Sequence, residues 1–143
     1  MIRITNIKRC HIPDYDKIFL IIRSTASLER KKSKLLDIAD HMPDLSPSKD
    51  LFYKYLNHEK NGTWNKEVFE NEYKPVFLKE LAHNFDAMDC LRILKQFDKE
   101  GKKIALLCFC QDENLCHRKI VGEILRENGC NVIFDEDIDK KNK

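Results

Sequence analysis

Residues 103–134 limit the possible folds more than any other part of this chain. The run KIALLCF at 103–109 is continuously apolar after its first residue and short enough to be a buried strand. A polar segment, Gln111–Leu115, follows it. From Cys116 to Asn128 the apolar residues fall at Ile120, Val121, Ile124 and Leu125, the spacing of a helix with one buried face. Gly129 supplies a stop, and Asn131–Phe134 reads as a second short strand. Strand, helix and strand joined this closely make a βαβ unit, and its strands run parallel. Parallel strands need cover on both faces. The expected fold is therefore a small three-layer α/β domain with a mostly parallel sheet of four or five strands.

The remaining segments fit that frame. Met1–Ile7 carries Ile2, Ile4 and Ile7 and reads as a first strand, and Lys17–Arg23, with IFLII at its centre, as a fully buried second one. Ser27–Lys34 is charged enough for a loop or short helix, and Leu35–Met42 for one or two helical turns. Ser46 is the expected N-cap of a helix with Pro47 in its first position and Phe52, Tyr55 and Leu56 as its buried stripe. Asn65 opens a longer helix to about Ala82, which Pro75 should kink or split. Asp86 is expected to cap another, stopped by Gly101. With no repeat and no Gly- or Pro-rich linker, 1–143 reads as a single domain, its end from about 136 to 143 a frayed tail.

Charge excludes some functions. Charged residues make up 35% of the chain, yet the net charge is only +2, far from the basic excess of a general nucleic-acid binder. No apolar run approaches the ~20 residues that span a bilayer, and MIRITNIKRC lacks the apolar segment of a signal peptide. A cytoplasmic protein with no membrane partner is expected, its six cysteines reduced thiols.

In parallel sheets, ligands bind beyond the carboxyl ends of the strands, where loops enter helix N-termini. Cys116, His117 and Arg118 open the helix after the strand at 103–109, and they are the candidate catalytic residues. The helix start favours an anion and lowers a thiol's pKa, so Cys116 is expected to be thiolate-like. Arg118 suits a phosphate or carboxylate, and His117 can carry a proton. Candidate ligand contacts are Arg23 and Thr25 at the end of the second strand, Cys110 and Asp112 at the loop mouth, and Ser46 and Ser48 at a second helix start. Cys108, on the apolar strand, is expected to be core packing. Trp64 and Tyr73 flank a loop–helix junction, as core edge or as a wall on which a base stacks.

Zinc is the weaker alternative. Cys108, Cys110, Cys116 and His117 are competent ligands, but they lack the C-x₂₋₄-C knuckles of zinc sites, and an adjacent Cys-His pair diverges on a helix. No metal and no cofactor are expected. A phosphatase loop needs five residues between Cys and Arg, whereas Cys110 and Arg118 have seven between them.

The run ALLCFCQDENLCHRKIVGEIL resembles the signature of a widespread family catalogued as domain of unknown function 488. Its members carry a strand ending in L-C-x-E, a short loop, and C-H-R leading a helix. DLSPSKDLFYKYL and the Trp64, Phe69, Tyr73 pattern are similar to the family's L-x-P-S region and the helix after it. Many relatives have glutamate where this chain has Cys110, so Asp112 or Glu113 are the carboxylates that could replace it. The resemblance implies a small intracellular α/β protein of bacteria or their phages. Relatives often stand beside DNA-processing and defence genes, which points to a nucleotide or nucleic-acid partner. The leading expectation is an enzyme cleaving an N-glycosidic or phosphoester bond in such a substrate; the alternative is a non-catalytic module binding a nucleotide or a protein partner through the same pocket.

Overall fold

The computed structural model describes residues 1–141. It contains one parallel five-stranded sheet: β1 (Ile2–Asn6), β2 (Lys17–Leu20), β3 (Ala39–His41), β4 (Ile104–Cys108) and β5 (Val132–Ile133), in the order β3-β2-β4-β1-β5. The α/β reading with a parallel sheet is thus realised. The helices are α1 (Ala26–Arg30), α2 (Lys49–Asn61), α3 (Lys66–Val68), α4 (Lys74–Ala82), α5 (Phe85–Lys99), α6 (His117–Glu127) and α7 (Asp135–Lys141). A turn of π-helix, Phe69–Tyr73, joins α3 to α4. None of these helices is long and apolar enough to cross a membrane.

Every residue of β1 and β4 is buried, the signature of central parallel strands covered on both faces. Pairing sets Ile2 beside Ile104, and Ile4 beside Leu106, which in turn lies beside Phe19. On this face Phe19 stacks on Phe97 of α5 at 6.2 Å between ring centroids. α6 lies against the same face through Gly122, where a methyl group would stand 2.4 Å from the Phe134 ring and 3.1 Å from Ile4 Cγ1. The missing side chain is what lets α6 sit so close to β1.

The chain leaves β2 towards β3 and leaves β4 in the opposite direction, past β1 to β5. Neighbouring strands whose connections diverge leave a crevice beyond their carboxyl ends. Here the crevice lies between β2 and β4.

Several local expectations are corrected. Residues 39–41 form an edge strand instead of helical turns; it has no apolar core face to announce it. The N-cap of α2 is Ser48, whose hydroxyl accepts from Leu51 N–H, while Ser46 instead donates to the Pro43 carbonyl. That shift rotates the helix: Leu51 is the buried residue, Phe52 and Tyr55 are half-buried, and Leu56 is exposed. Asn84 caps α5 in place of Asp86. Residues 136–141 are helical where a frayed tail was expected, because Asp137 caps Phe134 N–H and pairs with Arg126 at 2.8 Å. The last two residues of that expected tail, 142 and 143, lie outside the described residues.

Candidate functional site

The crevice is built from carbonyl groups that the strands no longer use. Beyond β2, Ile21 N–H still donates to Leu107 O at 3.0 Å. The next carbonyls accept from side chains: Ile21 O from His117 Nε2 and Ile22 O from His41 Nε2, each at 2.6 Å. Beyond β4, the Cys110 carbonyl accepts from Asn6 Nδ2 at 3.2 Å and from Arg118 Nη1. The loop then turns because Asp112 accepts from Asn114 N–H at 3.0 Å. Glu113 is buried, and its carboxylate caps α7 by accepting from the backbone N–H groups of Asp135 and Glu136. Both acids are therefore engaged in holding the loop, and neither takes the place of a carboxylate at position 110.

Cys116 is the residue that gathers the site. It is the N-cap of α6 and keeps an extended backbone, φ −128° and ψ 147°. Being extended, it does not diverge from His117 as two consecutive helical residues would, and the expected divergence is corrected. Its sulfur lies 3.3 Å from Cys108 Sγ and 3.5 Å from His117 Nδ1. The sulfurs of Cys108, Cys110 and Cys116 all fall within 4.8 Å of one another. Arg118 Nη1 donates to Cys108 Sγ at 3.2 Å.

These contacts decide where charge sits. Hydrogen bonds from Cys110 and Cys116 outweigh burial and, with His117 and Arg118 adding their positive field, hold the Cys108 thiol well below its ordinary pKa. Burial first, then the Cys108 sulfur, pushes Cys116 well above its own. Cys110 is raised as well, as the hydrogen-bond partner of Cys108 and Cys116 and by burial. For His117 burial works downward, but the sulfurs of Cys110 and Cys108 outweigh it and the net direction is up. These directions favour negative charge on Cys108 over Cys116. The helix start does not activate Cys116 because its side chain makes no capping bond to the helix N–H groups.

Arg118 is completely buried. Besides Cys108 and the Cys110 carbonyl it faces Asp135, with Nη2 3.6 Å from Oδ2. Asp135 also takes Arg3 Nη2 at 2.6 Å and the Thr5 hydroxyl at 2.7 Å. Arg118 thus reaches inward from α6 and sets the charge behind the sulfurs, away from the crevice.

A pocket of about 260 Å³ opens above the cluster. Phe52, Tyr55, Tyr73 and Phe109 wall it, and Cys110, Cys116 and His117 form its reactive floor. Burial raises the pKa of both tyrosines, so both walls are neutral phenols. Arg23 and Ser46 stand at the rim, where Arg23 spends one N–H on the Pro47 carbonyl at 3.0 Å. Of the residues expected at the site, Cys110, Cys116, His117, Arg23 and Ser46 come together here. Thr25, Ser48 and Asp112 are not among the lining residues. Thr25 donates to Glu29 at 3.1 Å, and Ser48 donates to Glu80 at 2.5 Å.

Cys108 and Asp135 are the members that sequence reasoning missed. Strand alternation carried a signal for Cys108, since it shares a direction with Cys110, but its approach to Cys116 depends on how the loop closes. Nothing local marks Asp135, which is drawn in by cations from β1 and α6.

A family model described as "Active DUF488-N3 subclade", DUF488-N3a, matches residues 2–129. No curated protein and no solved structure matches the chain.

Proposed function

Because the chain belongs to the DUF488 family, in the subclade DUF488-N3a, we propose that it is an enzyme acting on a nucleotide-like substrate held in the crevice between β2 and β4. The observation that carries this reading is the pocket itself: four aromatic rings around a floor of two thiols and an imidazole. Aromatic walls suit a planar base, by offset or edge contacts. Arg23 keeps guanidinium N–H groups free of the Pro47 carbonyl and is placed to meet an anionic group at the rim. The word "active" in the description of the matched subclade also favours catalysis.

The reacting group in this reading is Cys110, the half-buried sulfur at the pocket floor. Its sulfur attacks an electrophilic carbon or phosphorus of the substrate, and a glycosidic or phosphoester bond to the leaving group breaks. The thiol proton passes to the departing oxygen or nitrogen of the leaving group, and water then cleaves the sulfur-bound intermediate, restoring the Cys110 thiol beside the sulfur cluster. Cys116 and His117 complete that cluster, and His117 holds its place through Ile21 O. Arg118 is a positioning residue that keeps the charge on Cys108 and the Cys110 carbonyl in place.

The test is a panel of nucleoside monophosphates and short oligonucleotides, assayed for binding and cleavage with wild type, Cys110→Ser and Arg23→Ala. Cys110→Ser is expected to bind as wild type does and lose turnover, and Arg23→Ala to weaken binding by roughly tenfold. Cleavage by Cys110→Ser at the wild-type rate would refute the reading. Binding without cleavage by every form would make the protein a nucleotide-binding module.

A further inference from the structure

We propose that the floor of this pocket is a binding site for a borderline or soft divalent cation, zinc being the reference, with Cys108, Cys110 and Cys116 as sulfur ligands and His117 Nδ1 as the fourth. The proposal goes beyond the reading above: with the cation bound Cys110 is a thiolate ligand, and the binding itself does not rest on that reading.

Geometry is the first argument. A tetrahedral zinc with Zn–S bonds of about 2.3 Å separates its sulfurs by roughly 3.8 Å. The three sulfurs here lie within 4.8 Å of one another, with Cys108 and Cys116 at 3.3 Å. The same geometry places a ligating nitrogen roughly 3.5 Å from each sulfur, and His117 Nδ1 is 3.5 Å from Cys116 Sγ. Opening the Cys108–Cys116 separation by about half an ångström would bring that pair to the tetrahedral spacing.

The histidine supplies an independent observation. Its Nε2 is 2.6 Å from the Ile21 carbonyl, which can only accept, so Nε2 carries a proton. In the neutral ring Nδ1 then presents a lone pair towards the sulfurs. A carbonyl on the far nitrogen is the usual support of a metal-ligating histidine, because it fixes both tautomer and ring direction. His117 is further held by an edge contact with Phe77, ring centroids 5.9 Å apart.

Charge is the third argument. Three thiolates in a buried site would leave a negative excess that no core tolerates. A divalent cation removes two of those charges, and Arg118, fully buried with Nη1 3.2 Å from Cys108 Sγ, removes the third. Asp135 does not upset this balance, since Arg3 meets it at 2.6 Å. A buried guanidinium beside a sulfur is costly in a site of neutral thiols and fits one of thiolates.

The sequence lacks zinc knuckles, but the fold supplies their equivalent. β4 ends at Cys108 and the chain just past it sets the Cys110 sulfur beside that of Cys108, while the extended N-cap brings Cys116 back to them. A cation can enter from the pocket, which reaches Cys110 and Cys116 directly.

Cobalt(II) added to the reduced, chelator-treated full-length protein is the probe. One equivalent is expected to give an intense near-ultraviolet thiolate-to-cobalt band with the strong visible bands of a four-coordinate ion, both bleached by zinc. Cys110→Ser, at the pocket floor and the variant least able to disturb folding, should weaken affinity roughly tenfold or more, and His117→Gln should shift the visible bands. A correctly folded wild type with no thiolate-to-cobalt band overturns the site, as does a Cys110→Ser protein whose bands and affinity match wild type. Failure of the two readings is separable. Cobalt bound through sulfur with no nucleotide processed refutes the enzyme reading and leaves the cation site standing. Nucleotide turnover by a protein with no such band refutes the cation site alone.

Discussion

The substitution Gly122→Ala tests whether α6 is seated by the absence of a side chain. The added methyl would meet two Phe134 ring carbons at 2.4 and 2.5 Å and Ile4 Cγ1 at 3.1 Å. Carbon atoms in favourable contact stand about 3.5–4.0 Å apart, so the ring would have to withdraw by about 1 Å. It has little freedom to do so. Phe134 is fully buried, with Lys119 Nζ 4.0 Å and Arg126 Cζ 4.7 Å from its centroid. Overpacking costs about 1–3 kcal/mol, and an approach of 2.4 Å to a held ring belongs in the upper part, about 2–3 kcal/mol. Alanine returns up to about 1 kcal/mol through its better helix propensity. The expected balance is a loss of about 1–2 kcal/mol, or about 3–8 °C in Tm for a chain of this size. Urea denaturation followed by circular dichroism measures it. Combining Gly122→Ala with Phe134→Leu should restore part of the loss, since the two positions share one space and their effects should not add. A Gly122→Ala protein as stable as wild type or more so would refute the packing argument. It would also loosen the case for the site, since the seat at Gly122 lies one to two turns along the helix from Cys116 and His117.

Two further outcomes follow from charged side chains at the site and in α7. Arg118→Met removes the donor to Cys108 and to the Cys110 carbonyl, but leaves Asp135 with Arg3 and Thr5 and the Cys110 carbonyl with Asn6. The expected loss in urea denaturation is about 1–3 kcal/mol, below the about 3–5 kcal/mol of a stranded buried charge; a loss of that larger size would mean that Arg3 does not suffice for Asp135. For acid, the Phe134 N–H hydrogen bond, followed by Arg126, lowers the Asp137 pKa from its ordinary 3.8. A depressed carboxyl stabilises the fold above that ordinary value, and the contribution disappears as pH falls through the lower, folded value. Hydrogen exchange in α7 should therefore accelerate below about pH 4, and Asp137→Asn should flatten that dependence; an unchanged profile in the variant would remove Asp137 from the account.

What could be read from the chain depended on how far each signal reaches. The pattern of 104–134 is local and periodic, so β4, α6 and β5 appeared within a residue or two of their places, and the parallel sheet followed from their connection. The start of α6 at Cys116-His117-Arg118 was legible for the same reason. β3 was not, because Ala39–His41 is a short edge strand defined by pairing with β2 alone. SPS at 46–48 offers two serines for one cap, and the choice is made by Glu80, 32 residues on, which receives both the N–H and the hydroxyl of Ser48. Arg118 was read as an anion contact at the helix start; it is drawn inward by Cys108 and Asp135, which only the closed fold brings near. The same closure brings Cys108 against Cys116, a contact that strand position alone did not show.

The π-turn at Phe69–Tyr73 acts as a phase adjuster. Each residue advances an α-helix by about 100°, and a π-turn inserts one residue's worth of rotation without ending the helix. At its start, Phe69 faces Trp64, ring centroids 6.0 Å apart; after it, Phe77 lies against His117. A regular helix of the same sequence would align one of these two groups and swing the other away. Pro75, which has no N–H to give, stands where the wide turn has already loosened the ladder. The turn therefore lets one continuous rod serve the aromatic cluster around Trp64 and the imidazole of the site together. Losing a single residue from it would close the wide turn into a regular α-helical one and keep the downstream faces in phase.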